Sequence, residues 1–298
     1  MILKEFSVHE QEQKNKQAIR IPMNNLVKRT ISGIGFGVVM LAALLLNKFV
    51  FGAVMLFALI VMMREFMRMT MGNEYRYSQL LTIISGITLF TLIFLYKGCN
   101  FPGRLVILAF IPIFIVMINS LYVKDKTRFG KFANLYTAIL YIAVPWSMLN
   151  FAAFDANGCF NGILLLCFFC IIWGSDVGAY AFGMALGQKY GKKLFPSISP
   201  KKSWIGFWGG MLTSVLVAVG LHYAGLFPYS LPHGIALAIL LDVLGVYGDL
   251  IESQWKRHYE IKDSGNAIPG HGGLLDRFDS ALIGIPIGII YLVVMNVL

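Results

Sequence analysis

The chain has 298 residues, 57% of them hydrophobic and only 13% charged, and its formal net charge is +10. A soluble domain of this length carries about 25% charged residues, so a surface bathed entirely in water is excluded and lipid is the simplest solvent that fits. The scarcity of charge also makes the position of each charged residue informative.

Taken in order, residues 1–30 form a polar, basic tail without the apolar core and small-residue cleavage site of a secretory signal. Met23, opening the run "MNNLVKRTISG", is a candidate initiator within it. Nine apolar stretches follow, near 31–47, 49–63, 80–96, 105–121, 132–154, 161–182, 204–226, 234–251 and 280–298. Most approach the ~20 residues that a spanning helix needs. Only Asn47 and Lys48 separate the first two. The expected fold is therefore all-α, a polytopic integral membrane protein of about nine transmembrane helices. It divides into the tail, an N-terminal helical region at 31–158 and a C-terminal region at 159–298. The C-terminal region carries two long polar loops at 184–203 and 252–279.

Charge sets the expected orientation. Twenty-two of the 25 Lys and Arg fall in alternate loops on one side, and the remaining three are Lys48, Lys97 and Arg104. The positive-inside rule then predicts a cytoplasmic N-terminus and an outside C-terminus. Basic residues spread over five short loops speak for anionic lipid headgroups and against nucleic acid. Cys167 and Cys170 form a CxxC inside an apolar run, which reads as packing rather than metal binding. GxxxG spacing at Gly183/Gly187 and Gly284/Gly288 predicts close helix contacts, within the chain or across a homodimer.

Carboxylates in or near apolar stretches are costly and so point to function. Asp176, Asp242 and Asp249 are such residues, and Asp242 and Asp249, seven apart, share a helix face. Asp276 and Asp279 stand at the entry to the last stretch. Between them runs "GDLIESQWKRHYEIKDSGNAIPGHGGLLDRFDS". Lys256, Arg257, Lys262 and Arg277 in it suit phosphate oxygens. Pro269-Gly270-His271-Gly272-Gly273 lets backbone N–H groups approach an anion. Asp249, Asp263, Asp276 and Asp279 offer oxygen ligands for a hard divalent cation. Upstream, Lys192, Lys193, Lys201 and Lys202 cluster before the seventh stretch, with Ser199 as its expected helix cap and Pro200 in the first turn.

Together these residues resemble a known family. Gly248-Asp249-Leu250, Glu252-Ser253, Lys256-Arg257, Lys262-Asp263, Pro269 to Gly273, Asp276-Arg277 and Asp279-Ser280 resemble the C-terminal motif of phosphatidate cytidylyltransferases. Asp176, Ala179-Tyr180 and Ser199-Pro200-Lys201-Lys202 look like that family's second block. The match is dense over about 172–280. Ser203 and Ile205 stand where the family pattern has Thr and Glu.

The resemblance implies a Mg²⁺-dependent reaction of CTP with phosphatidic acid, giving CDP-diacylglycerol and pyrophosphate, in a bacterial inner membrane with the active site facing the cytoplasm. Asp249 and Asp276 are then the preferred metal ligands, followed by Asp279 and Asp263, with room for a second cation. Ser253 would orient phosphate or metal-bound water. Lys201, Lys202, Lys256, Arg257, Lys262 and Arg277 would hold CTP or the lipid headgroup. His271 would bind phosphate or support its turn. Two other classes share parts of this signature: a CTP-dependent lipid-alcohol kinase, and a transporter using intramembrane Asp residues.

Overall fold

The computed structural model describes residues 27, 29–124, 129–155 and 157–298. The tail up to residue 26, Met23 included, lies outside the described residues. Nine helices cover most of the rest: α1 (Arg29–Leu45), α2 (Lys48–Met71), α3 (Arg76–Gly98), α4 (Gly103–Tyr122), α5 (Phe129–Ala153), α6 (Ile163–Tyr190), α7 (Trp204–Tyr223), α8 (Leu231–His258) and α9 (Leu275–Val294). All but α1 are long and apolar enough to cross a membrane, and α1 is a shorter apolar helix. The chain is an all-α, polytopic integral membrane protein.

The narrow break between the first two stretches is real. The Asn47 side chain accepts hydrogen bonds from the N–H groups of Phe49 and Val50, at 3.0 and 3.1 Å, and so starts α2 as an N-cap. Three helices, α2, α6 and α8, overrun their expected ends. α2 continues past residue 63 to Met71, carrying Arg64, Glu65 and Arg68, and stops at Gly72, whose φ is +59°. α8 continues to His258, so Ser253, Lys256 and Arg257 project from a helix rather than a loop. The hydropathy of each stretch falls where charge begins, but Met, Phe, Leu, Glu and Arg are all good or adequate helix formers, so the backbone does not end there.

The segment expected as a loop at 184–203 is half helix and half hairpin. A π-helical turn at Gly183–Gly187 extends α6. β1 (Lys193–Phe195) then pairs antiparallel with β2 (Ser199–Ser203), Lys193 opposite Ser203 and Phe195 opposite Ser199. The expected cap at Ser199 is therefore corrected. Ser203 caps α7, its Oγ accepting from Gly206 N at 3.2 Å. Pro200 disfavours the helical conformation at Ser199 and fits a two-stranded ribbon with free edges.

α6 packs most extensively against α7, and α8 against α9 and α7. Glycines allow this close approach: Gly183 faces Gly206, and Gly284 faces the Leu241 carbonyl, so both GxxxG stripes are used within the chain. Phe278 of α9 is buried against Phe36 of α1, Trp146 of α5 and Phe169 of α6, with ring centroids 5.6, 4.7 and 5.9 Å away. That aromatic knot fixes the start of α9, on which Asp276 and Asp279 lie. All four cysteines are free thiols, Cys167 fully buried.

Candidate active site

Two clusters form at the end of the bundle where α6, α8 and α9 meet the hairpin. In the first, Lys202 of β2 reaches Asp249 of α8, with Nζ 2.6 Å from Oδ2. Ser253, one turn on, donates from Oγ to Asp249 Oδ1 at 3.1 Å. Asp279 of α9 and Asp176 of α6 lie close enough to Asp249 to feel its charge, and Asp176 also faces Lys202. Gly248 permits this, because the α9 backbone at Asp279 presses against the place its Cβ would occupy. Three carboxylates from three helices thus gather here, Asp249 and Asp176 beside Lys202 and Asp279 within reach of the Lys256 charge.

The second cluster is built around Lys256. Its ammonium donates to Glu252 Oε2 at 2.5 Å and to Asp276 Oδ1 at 2.8 Å. Asp276 Oδ2 accepts from the N–H of Ser264 at 3.0 Å and of Gly273 at 2.8 Å. Both Asp276 oxygens are therefore committed to protein donors, and the residue ties the loop after α8 to the first turn of α9. A carboxylate at a helix N-terminus is also favoured by the macrodipole.

The loop between α8 and α9 is strapped to α1. Arg29 Nε donates to the Gly270 carbonyl at 2.9 Å, and Ser32 Oγ donates to that of Pro269 at 2.8 Å. Gly270 and Gly272 adopt φ of +79° and +85°, a region that other residues enter at a cost. His271 Nδ1 lies 3.0 Å from Ser32 Oγ, a contact that supports the turn. Arg277 is exposed and donates from Nη2 to the His271 carbonyl at 2.8 Å. Arg257 is exposed and donates from Nε to Ile198 O on the hairpin turn at 3.3 Å. Lys201 and Lys262 are exposed. Asp263 is exposed, lines a groove along α2 and α3, and packs beside Gly272 next to Asp276.

Three site residues escape sequence reasoning. Glu65, buried on α2, accepts from Leu275 N at 2.9 Å, across 210 residues of sequence, and so caps α9 from another helix. Glu252, fully buried, holds Lys256. Tyr141 sits in a π-helical turn of α5, and its buried hydroxyl, without a hydrogen-bond partner among the described residues, faces the charges of Glu252, Asp279 and Asp249. Only Glu252 left a trace in the sequence, as part of the quoted motif. A π-turn and a carboxylate reaching another helix leave none.

The donor set fits Mg²⁺. The ion takes oxygen ligands, keeps several waters and is usually bound by one or two carboxylates plus substrate phosphates. No three His, Cys, Asp or Glu side chains among the described residues form a metal cage alone. Asp249 with Asp279 nevertheless supplies oxygen donors from two helices in direct contact, each carboxylate feeling the other's charge, which a cation would balance.

The sequence decides the family. Residues 27–295 match the profile of the Cytidylyltransferase family. The chain belongs to this family. Relatives within the family's reach include a phosphatidate cytidylyltransferase of Bacillus subtilis, 35% identical over 180 residues, which are 60% of this chain and 65% of the relative. Those of Staphylococcus haemolyticus and Staphylococcus aureus are also 35% identical, over 61% and 58% of this chain and 67% and 64% of theirs. The alignment thus spans about two thirds of these relatives' length. In a cytidylyltransferase, nucleotidyl transfer demands charge neutralisation and positioning.

Proposed function

We propose that this cytidylyltransferase converts CTP and phosphatidic acid to CDP-diacylglycerol and pyrophosphate, with Mg²⁺, at the inner face of a bacterial cytoplasmic membrane. The observation that carries the reading is the Lys202–Asp249 contact between the hairpin and α8, with Asp176 of α6 and Asp279 of α9 close enough to feel the Asp249 charge. A phosphate monoester oxygen of the lipid attacks the α-phosphorus of CTP, a P–O bond forms, and the bond to the β-phosphate oxygen breaks as pyrophosphate leaves. The nucleophile is already anionic, so no serine or cysteine nucleophile is needed. Asp249 and Asp279 would hold Mg²⁺, which would supply neutralisation of phosphate charge. Lys202 orients Asp249 and contacts phosphate, and Ser253 fixes the second Asp249 oxygen. Arg257 and Arg277, both exposed at the rim, meet the incoming triphosphate with planar, bidentate geometry. Asp276, Lys256 and Glu252 hold the loop and α9 in register.

The residue distribution supports the orientation, since the site lies at the end of the bundle that carries most of the Lys and Arg. Purified protein in detergent, given phosphatidic acid, Mg²⁺ and CTP labelled at the α-phosphorus, is expected to yield labelled lipid. Label entering lipid only from the γ-phosphorus would replace this reading with a lipid-alcohol kinase.

A further inference from the structure

A second region with the chemistry of an anion site lies on the opposite side of the α8–α9 loop. It is a cavity of about 1120 Å³ between α2, α3 and residues 261–267. Arg64 and Arg68, one turn apart on α2, and Arg76, the first residue of α3, all line it, with Ile60, Val61 and Ile83 on its apolar wall. All three arginines are exposed, and none makes an ion pair among the described residues. Arg68, in the last turn of α2, is accounted for by the helix dipole. Arg76 is not, because it opens α3, where the dipole disfavours a cation. Arg64 and Arg68 repel one another at their i,i+4 spacing. Two carboxylates also line the cavity: Glu65, buried and accepting from Leu275 N, and Asp263, exposed. Three guanidiniums without an ion pair among the described residues still leave positive charge in excess, which calls for an external anion, and the apolar wall calls for a hydrocarbon chain beside it.

We infer that this groove binds the phosphate headgroup of an anionic phospholipid, with an acyl chain along α2 and α3. The site is separate from the carboxylate cluster, and Glu65 together with residues 263–267 forms the partition between them. The inference requires a membrane protein and is independent of the reaction assigned above.

The test uses the full chain, delipidated in detergent, with phosphatidylglycerol as probe and native mass spectrometry or tryptophan quenching as readout. Phosphatidylglycerol carries an anionic phosphodiester and lacks the monoester that the proposed reaction consumes. The R64Q/R68Q variant is expected to bind it about thirtyfold more weakly, equivalent to about 1 kcal/mol per arginine near a headgroup. R64K/R68K is expected to stay within a few fold of the unaltered chain, which separates charge from folding. Phosphatidylcholine is expected to bind weakly to all three proteins. Unchanged binding in R64Q/R68Q, or equal binding of phosphatidylcholine, overturns the inference. Release of the lipid by inorganic phosphate at constant ionic strength overturns the lipid as occupant in favour of a free anion. Asp249→Asn is expected to bind phosphatidylglycerol normally while losing cytidylyl transfer, so the fates of the two readings are separable.

Discussion

Lys202 Nζ stands 2.6 Å from Asp249 Oδ2 and thereby joins a two-stranded hairpin to the eighth helix. The pair ties the two sequence blocks, some 50 residues apart, into one site. Neither residue is fully buried, so the contact is open to a competing cation or phosphate. Asp249→Asn is expected to reduce cytidylyl transfer at least a hundredfold at saturating CTP, with little recovery on raising Mg²⁺. Lys202→Met is expected to act mainly on KM for CTP, by about tenfold to a hundredfold, as loss of one charge-assisted contact implies. Initial rates against CTP concentration check both. An unchanged KM in Lys202→Met would leave the lysine as a structural counter-ion only.

Asp276 gives a contrasting prediction. Its oxygens hold Lys256 and the N–H groups of Ser264 and Gly273. Removing one partner of a buried ion pair costs about 3–5 kcal/mol. Asp276→Ala is therefore expected to lower thermal stability in detergent and to speed proteolysis between residues 259 and 274, in parallel with lost activity. Wild-type stability and proteolysis with abolished Mg²⁺-dependent turnover would return Asp276 to the role of metal ligand that the sequence resemblance implies.

Asp249 and Asp276 differ in surroundings that their sequence context does not disclose. Hydropathy locates the spans, and the scarcity of charge directs attention to Asp176, Asp249, Asp276 and Asp279, because a carboxylate beside lipid must be explained. Helix ends are less legible. α2 and α8 run on through charged residues, since charge ends a hydropathy run without ending a helix. What binds what is least legible. Asp249 and Asp276 look alike as isolated carboxylates, and only the backbone donors around Asp276 separate them. Glu65, a long way from Leu275 in sequence, leaves no periodic signal.

Ser203 tests the helix cap. Its Oγ accepts from Gly206 N, and the residue ends the strand that carries Lys201 and Lys202. Ser203→Ala is expected to cost about 1 kcal/mol of stability and to raise KM for CTP through displaced lysines. Ser203→Thr retains the capping hydroxyl and is expected to keep both stability and KM near those of the unaltered chain. Thermal unfolding in detergent and CTP kinetics check the two readouts separately.

Tyr141 supplies the last prediction. Its hydroxyl is buried, lacks a hydrogen-bond partner among the described residues, and faces Asp249, Glu252 and Asp279 from a π-helical turn. π-turns are rare and concentrate at functional sites, because the extra residue re-aims a side chain. An unsatisfied buried hydroxyl costs about 1–3 kcal/mol, so Tyr141→Phe is expected to leave stability unchanged or slightly raised. If the hydroxyl donates to a phosphate oxygen during turnover, the same substitution lowers kcat about tenfold or more while KM for CTP changes little. Combined thermal unfolding and steady-state kinetics decide the matter. Unchanged kcat together with raised stability would show that the hydroxyl is a packing cost with no part in the reaction.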